Sequence, residues 1–501
     1  MTFSPPRPPN LLYFRLGWTI LQGSGGPSPA ASSESSYPLP SLGHRAMLLH
    51  HAKRLLLAVG CVFAMSSGAW AQEDNTNINF AQPIAGVEID AAGVLRIQRL
   101  DHRIANERLA AARQKQGAAG AELRKVSLNR LEKVLAEAIA AGQKPSEEML
   151  SMAGLTGIQY VFFYPETNDI VVAGPAQGAF RDPMGRFLGT RTGEPIVQLE
   201  DMVSALRAYR PGIEPTRTIS VSIDPTADGL KRMQRYLASL GGIAQPGQEA
   251  FIASNLQQNL GLQTVSLKGV PFTTNFARVL VEADYRMKMI GIGLERVPGL
   301  ASFTDRSFPG GSANALQRWF FIPNYEGVTV SEDGLAMKLN DRGVKLVGES
   351  ELVNSSGERA AGGRVNRASQ GFCNDFTKNY DQIARMIPVY AELRNLIDVS
   401  IAAAYIQKQD FYGQAGWEMP VFGDESQFAI ETHDAPQQVE TAVNAVWKNG
   451  SLLTPIGGGI NMQPRQALTK ERLLVETDGK SDAVKRQAAP VPADLDRWWW
   501  D

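Results

Sequence analysis

The chain has 501 residues, of which 44% are hydrophobic and 20% are charged, and its formal net charge is −1. This length exceeds what one hydrophobic core usually serves, and the composition excludes a wholly disordered or fibrous chain. A nearly neutral chain also lacks the positive charge with which proteins bind nucleic acid, so no nucleic-acid partner is predicted.

The N-terminal region predicts an exported protein. Residues 1–46 are rich in Pro, Ser and Gly, and we interpret them as a disordered, mis-assigned extension before the true start at Met47. A basic pair, a short apolar run and a small-x-small sequence then follow in the order of a secretory signal. We therefore expect residues 47–71 to be a signal peptide that is cleaved between Ala71 and Gln72.

Cleavage there changes the charge and the reactive residues that remain. Residues 1–71 contain five of the 50 basic residues and one of the 51 acidic residues, so the mature chain has a net charge of −5. It keeps one cysteine, Cys373, and two histidines, His102 and His433, and therefore has no internal disulfide. No later apolar run approaches the roughly 20 residues that span a bilayer, so we expect a periplasmic, cell-surface or extracellular protein without a transmembrane segment.

Residues 72–299 are predicted to form a mixed α/β domain. A hairpin is expected around Asp90 to Gly93, followed by two helices with apolar residues every three or four positions, the second ending at Gly142. The sequence "IQYVFFYPETNDIVVAGP" is typical of two strands joined by a turn. Strand-then-helix order is predicted for "ISVSIDPTADGLKRMQ" and again for "QTVSLKGVPFTTNFARVLVEADYRMKM".

The rest of the chain changes character at about residue 300. Short apolar runs between turn residues predict an antiparallel β meander over residues 300–352. A polar linker is predicted over 353–369, a helical C-terminal region over 370–468 and a charged tail with a tryptophan cluster over 469–501. The fold class that follows is α+β.

Cys373 lies at the start of the predicted helical region. Apolar residues from Phe372 to Tyr390 recur every three or four positions, which predicts one face of a helix that is broken or kinked at Pro388. The thiol lies beside this face, where a free cysteine packs as a small apolar residue. The alternative is a nucleophile with a histidine base, for which the local sequence has no motif.

Other catalytic and metal motifs are missing from the sequence. It has no nucleophile elbow, no zinc-protease motif, no phosphate-binding loop and no paired cysteines. We therefore predict no catalytic residue, no cofactor and no metal site with His or Cys ligands. A calcium or magnesium site made of carboxylates alone stays open, because such sites need no fixed local spacing outside the EF-hand.

The stretch "GPAQGAFRDPMGRFLGTRTGEP" places Arg181, Arg186 and Arg191 five residues apart in a glycine-punctuated loop. One interpretation is a cradle for an anion or a sugar acid, because guanidinium groups and exposed backbone donors suit carboxylates and phosphates. The other is a solvated hairpin without a ligand.

The chain ends with Trp498, Trp499 and Trp500 in the sequence "RWWWD". Three adjacent exposed tryptophans would cause aggregation unless they docked on a surface. They are expected to dock on their own chain, to bind a partner protein of the envelope, or to stack on sugar rings of a wall or surface polysaccharide.

Several stretches resemble a known family. They are "SIDPTADGLKRMQ", "RWFFIPNYEGVTVSEDGLAMKLNDRGVKLVGE", "YAELRNLIDVSIAAAYIQKQDFY", "VETAVNAVWKNGSLLTPIGGGI" and "RWWWD". Together they are similar to an exported planctomycete family known only by a domain of unknown function, from about Gly86 to Asp501. The resemblance implies an envelope location and one continuous unit, and it implies no activity, cofactor or catalytic residue.

These observations favour an exported envelope protein with a non-catalytic binding or scaffold role, whose partner is an envelope protein or a polysaccharide bound through the tryptophan cluster. The alternative is a hydrolase of envelope carbohydrate or peptide that uses Asp/Glu pairs, since such acids have no local signature. A close acid pair with a raised pKa in a deep cleft would indicate the hydrolase.

Overall fold

The computed structural model describes a mixed arrangement of helices and strands, which confirms the predicted α+β class. The described residues are 84–99, 102–116, 120–240, 247–306, 315–323, 328–340, 343–353, 359–361, 367–448, 451–453, 459–487, 489–490 and 497–501. The predicted extension, the signal peptide and its cleavage site between Ala71 and Gln72 lie outside them.

The strands of the described part are β1 (Ile84–Ile89), β2 (Val94–Arg99), β3 (Gly120–Ser127), β4 (Tyr160–Tyr164), β5 (Asp169–Gln177), β6 (Ala179–Arg181), β7 (Phe187–Gly189), β8 (Ile219–Pro225), β9 (Gln263–Lys268), β10 (Ala315–Pro323), β11 (Val328–Val330), β12 (Ala336–Leu339), β13 (Val344–Val353), β14 (Arg359–Ala361), β15 (Gln438–Val439), β16 (Val446–Lys448), β17 (Ser451–Leu453), β18 (Gly459–Met462), β19 (Leu473–Val475) and β20 (Trp499–Trp500).

The α-helices of the described part are α1 (His102–Gln116), α2 (Leu128–Ala140), α3 (Glu147–Leu150), α4 (Leu199–Ala208), α5 (Ala227–Ser239), α6 (Glu249–Leu260), α7 (Asn275–Gly291), α8 (Arg367–Lys378), α9 (Tyr380–Met386), α10 (Pro388–Lys408), α11 (Phe411–Ala415) and α12 (Lys480–Arg486). Short 3₁₀ turns cover Met152–Gly154 and Pro464–Leu468.

Two large sheets organise these strands. The nine-stranded sheet has the order β1-β2-β15-β9-β8-β18-β10-β13-β14, and the seven-stranded sheet has the order β19-β11-β12-β4-β5-β3-β20. Most neighbours are antiparallel, whereas β15 runs parallel to β2, β18 to β10, and β19 to β11. Both sheets therefore combine strands from distant parts of the sequence.

The predicted β meander is wrong in its pairing, although its strands exist. β10 pairs with β13 in the nine-stranded sheet, whereas β11 and β12 pair with each other in the seven-stranded sheet. The turn between β11 and β12 is closed by Gly334 at φ 70° and by a hydrogen bond from Ser331 Oγ to Asp333. β12 then pairs with β4, and Ala336 and Met337 are completely buried. β11 and β12 therefore belong to a different sheet from β10 and β13, their neighbours in the sequence.

Several local predictions are confirmed. The hairpin β1–β2 turns where Asp90 accepts hydrogen bonds from the backbone of Ala92 and Val94. Helix α2 ends before Gly142, whose φ of 70° favours glycine. The helix break at Pro388 separates α9 from α10, and this proline occupies the first turn of α10, where its missing N–H costs nothing.

Helix α10 lies in the interior, where it contacts α4, α7 and α9. All of its residues from Val389 to Leu393 are buried, and the buried run Ala402–Ala404 has no side chain larger than a methyl group. Beyond α11, the described part of the predicted helical region is coil, short strands and one 3₁₀ turn. The polar linker predicted over 353–369 lies largely outside the described residues.

The prediction that Cys373 is a packed thiol is confirmed. It is 3% exposed, and it lies on α8 beside the buried rings of Phe372 and Phe376. Burial raises the pKa of the thiol to about 12, which disfavours the thiolate. His433, a candidate base, instead has its Nε2 3.1 Å from Glu200 Oε2.

None of the helices that the structure describes is long and apolar enough to cross a membrane.

Candidate functional site: the C-terminal cleft

The C-terminal tryptophans are part of the fold. Trp499 and Trp500 form β20, which pairs with Val126 and Lys125 of β3. Trp498 and Trp500 are 6% and 7% exposed, and Trp500 packs in an apolar cluster with Phe162 of β4. Two of the three predicted partner-binding residues, Trp498 and Trp500, are thus buried in the fold of their own chain.

Trp499 is partly buried, and cations lie over its ring. The guanidinium carbon of Arg124 is 4.1 Å from the ring centroid, and that of Arg497 is 5.9 Å away. Such cation–π contacts contribute about 0.5–1 kcal/mol at exposed sites. Partner binding through Trp498, Trp499 and Trp500 stays a prediction, and Trp499 is the most accessible of the three.

Arg124 joins the C-terminus to a neighbouring turn. Its Nε and Nη2 donate to Asp501 Oδ1 and Oδ2 at 2.7 and 2.8 Å. Its Nη1 donates to the carbonyl of Ala153 at 2.7 Å. One guanidinium therefore fixes both the last residue of the chain and the backbone of residues 152–154.

That turn has a strained backbone. Met152, Ala153 and Gly154 have φ values of 48°, 52° and 82°, all in the left-handed region. A Cβ on Gly154 would lie 1.9 Å from the carbonyl oxygen of Gln177, so only glycine fits there. Left-handed residues other than glycine cost about 1–3 kcal/mol each, and such strain is concentrated at functional sites.

Lys125 fixes the tail from the other side of β3. Its Nζ donates to the carbonyls of Val484 and Lys485 at 2.9 and 3.0 Å and also to that of Gln487. These carbonyls lie at the C-terminal end of α12, where a cation is favoured by the helix dipole. Burial lowers the pKa of Lys125 to about 8.

The strained turn and Asp501 border an open cleft of about 510 Å³, which we call the C-terminal cleft. Its lining combines small residues with charged and polar side chains. The lining residues are Gly120, Arg124, Glu147, Glu148, Ser151, Ala153, Gly154, Gln177, Gly178, Ala179 and Asp501.

The predicted arginine loop forms the β6–β7 hairpin, and its three arginines have different surroundings. Arg181 is paired with Glu147 of the cleft at 3.1 Å. Arg191 is exposed, and a Cβ on Gly120, another cleft residue, would lie 3.6 Å from its guanidinium. Arg186 is 4% exposed and forms ion pairs with Glu392, at 2.9 Å, and Glu282. Two buried carboxylates neutralise Arg186, so it is not accessible to an anion from solvent. Anion binding by Arg181 and Arg191 stays a prediction.

The edge of β3 is open beside the cleft. β20 pairs with β3 only at Lys125 and Val126, so in the described part of the chain the outer edge from Gly120 to Leu123 has no strand partner. Gly120 and Arg124, at either end of this edge, both line the cleft. The cleft therefore presents main-chain donors and acceptors as well as carboxylates.

Acids with raised pKa values lie elsewhere. Burial, and then the charges of Glu200 and Glu392, raise the pKa of Asp201 well above its usual range. Burial also raises the pKa of Glu392. These two acids are 6% and 5% exposed and do not line the C-terminal cleft. Within the described ranges, no group of three or more His, Cys, Asp or Glu side chains is arranged to hold a metal ion.

Sequence reasoning missed most of this cleft. Arg124, Glu147 and Gln177 belong to no motif, and the left-handed conformations of Met152 and Ala153 have no signature in the residue types. The sequence indicates the position of the cleft only through two of its glycines, Gly154 and Gly178, which flank the predicted strands.

Residues 221–303 match a family model whose description is "Protein of unknown function (DUF1598)". This match agrees with the resemblance to a family known only by a domain of unknown function, and it covers the chain from β8 to α7 and the loop that follows. No curated protein and no solved structure matches the chain.

Proposed function

We propose that this protein is an exported envelope protein with a non-catalytic binding or scaffold role. Its ligand is an extended polypeptide segment of an envelope partner, which binds in the C-terminal cleft and adds a strand to the open edge of β3. The observation that carries this proposal is the β3 edge from Gly120 to Leu123, which has no strand partner in the described part of the chain and lies beside the cleft.

Strand addition suits this edge. An extended peptide gains affinity from main-chain hydrogen bonds to an exposed strand, and its alternate side chains enter neighbouring pockets. Gly120 and Glu122 are exposed, so this part of β3 is accessible to a second polypeptide chain. β20 already pairs with β3 in antiparallel register, which supports the addition of a further strand along the same edge.

The rim of the cleft indicates the chemistry of that segment. The side chains of Glu147 and Asp501 are 69% and 47% exposed, and both are paired with arginines of the same chain. Both oxygens of each carboxylate accept from these arginines, and their remaining lone pairs suit amide, hydroxyl or ammonium donors of a polar or basic peptide. The acids with raised pKa values, Asp201 and Glu392, lie outside the cleft, which supports binding rather than hydrolysis there.

Site-specific crosslinking in intact cells tests this proposal. A photoreactive amino acid replaces Glu122, which is exposed on the open edge, and in a matched control it replaces Arg217, whose side chain is 88% exposed in a loop. We expect adducts from position 122 that contain a peptide of one exported protein, and none of these adducts from position 217. Identical adducts at both positions, or only carbohydrate at position 122, would contradict the proposal.

A further inference from the structure

A second groove, of about 570 Å³, lies between the strand pair β4–β12 and helices α8–α10. It shares no lining residue with the C-terminal cleft. Basic side chains line it on both sides: Lys338 lies on β12, and Lys378 and Arg394 lie on the helices. We call it the basic groove, and the inference below does not rest on the proposed function.

The described lining residues of the basic groove have a positive charge balance. Three of its described lining residues are cations and one, Asp381, is an anion. Arg394 Nη1 donates to Asp381 Oδ1 at 2.8 Å, so this carboxylate neutralises only part of the positive charge. Two positive charges around one concave surface favour an anionic ligand.

Arg394 is held in place and keeps an unused donor. Its side chain is 15% exposed, and its Nε is buried without a hydrogen-bond partner in the described part of the chain. Because this Nε is closed to solvent, an anion in the groove meets the part of the Arg394 side chain that lines it. Carboxylate and phosphate groups match the fork of a guanidinium and pair with it through two parallel hydrogen bonds.

The other groups of the basic groove suit a hydroxylated ligand. Lys338 is held with its Nζ 5.9 Å from the ring centroid of Tyr160. Gln159, Asn340 and Thr377 add neutral donors and acceptors to the lining. A volume of this size lies within the range of about 300–1,000 Å³ that is usual for small-molecule sites.

We infer that the basic groove binds an acidic sugar, in which a carboxylate or phosphate pairs with Arg394 and Lys378 and hydroxyl groups bond with the neutral side chains. The carboxylate of a uronic acid and the phosphate of a sugar phosphate share this chemistry. Titrations with trigalacturonate, glucose 6-phosphate and neutral maltotriose distinguish the two sources and test the need for charge.

The test is calorimetric titration of the full chain, its Lys338→Gln/Lys378→Gln variant and a matched control, Arg217→Gln/Lys231→Gln. The control removes two cations that are 88% and 51% exposed outside the groove. We expect saturable binding of trigalacturonate or glucose 6-phosphate that weakens with added salt, about tenfold or greater weakening in the groove variant, and no change in the control. Thermal melting confirms that both variants are folded.

Arg394→Lys gives a second, independent variant. It keeps the charge and removes the fork, so we expect it to weaken anionic sugar binding while salt still reduces what remains. The inference is overturned if neither anionic sugar binds, if maltotriose binds equally well, or if the groove variant and the control bind with equal affinity.

Discussion

The guanidinium of Arg124 and the carboxylate of Asp501 form two parallel hydrogen bonds across the end of the seven-stranded sheet, 2.7 and 2.8 Å long. The same guanidinium lies over Trp499 and bonds to the carbonyl of Ala153. Arg124 thereby links the last strand, the last residue and the strained turn of the C-terminal cleft.

Arg124→Gln should therefore lower the stability of the protein. The ion pair with the half-exposed Asp501 contributes at most about 1 kcal/mol, and loss of the bond to Ala153 adds a similar amount, so we expect about 1–2 kcal/mol in total. Urea unfolding measures this difference. The exposed-site variant Arg217→Gln is the control, and equal stability of the two variants would contradict the role of Arg124.

The two tryptophans of β20 should contribute unequally to the free energy of unfolding. Trp500 is 7% exposed within an apolar cluster, so Trp500→Ala should cost about 3–5 kcal/mol. Trp499 is partly exposed, and Trp499→Ala should cost clearly less. Thermal melting of both variants tests this order. If neither substitution changed the melting temperature, the tryptophan cluster would not be docked on its own chain.

Cys373 should be structural. Cys373→Ala removes a buried sulfur and should lower the free energy of unfolding by about 1–2 kcal/mol, without loss of cellular function at a permissive temperature. A thiol reagent should label the folded protein slowly and the urea-unfolded protein fast, because the thiol is buried and its pKa is raised. Rapid labelling of the folded protein would disprove this.

Asp284 should make stability fall as pH rises. Burial raises the pKa of this carboxyl from 3.8 to about 6, although Lys288 lies 3.3 Å away. The folded state thus holds a proton that the unfolded state releases, and the resulting stability is complete below pH 3.8 and lost as the pH passes about 6. The pKa difference corresponds to about 3 kcal/mol.

Unfolding curves between about pH 4 and pH 7 measure this effect. Wild-type stability should decline across this range relative to that of Asp284→Asn, whereas Asp381→Asn, at a side chain 74% exposed, should keep the wild-type slope. Parallel pH curves for wild type and Asp284→Asn would contradict the assignment.

Export should be visible as a processed N-terminus. The signal pattern from Met47 to Ala71 predicts that mature protein begins at Gln72. Intact-mass analysis of protein from the producing cell decides this, and a mass that includes residues 1–46 would overturn both the export and the interpretation of the extension.

Local structure was predictable here, whereas strand partners were not. The β4–β5 hairpin and the break before α10 follow from turn residues and from Pro388, which act on their immediate neighbours. In contrast, β8 lies between β9 and β18, and β18 is far away in the sequence. A strand of alternating apolar and polar residues such as β8 fits many neighbours, so its pattern does not select one.

The candidate site was predictable only in part. The tryptophan cluster was visible as three unusual residues, but its pairing with β3 depends on Val126 and Lys125, whose residue types carry no signal. The arginine loop was visible too. Its central member, Arg186, is buried and forms ion pairs with Glu282 and Glu392. These glutamates lie on α7 and α10, which are far from the loop in the sequence.

Arg124 and Asp501 are 377 positions apart, and their pairing holds the C-terminal residues against the edge of the seven-stranded sheet. Trp500 packs in an apolar cluster that includes Phe162 and Tyr164. An exopeptidase that removed residues 497–501 would expose apolar area on a strand edge, which is a template for self-association. We therefore expect the pairing of β20 with β3 to limit self-association at this edge as well as to stabilise the fold.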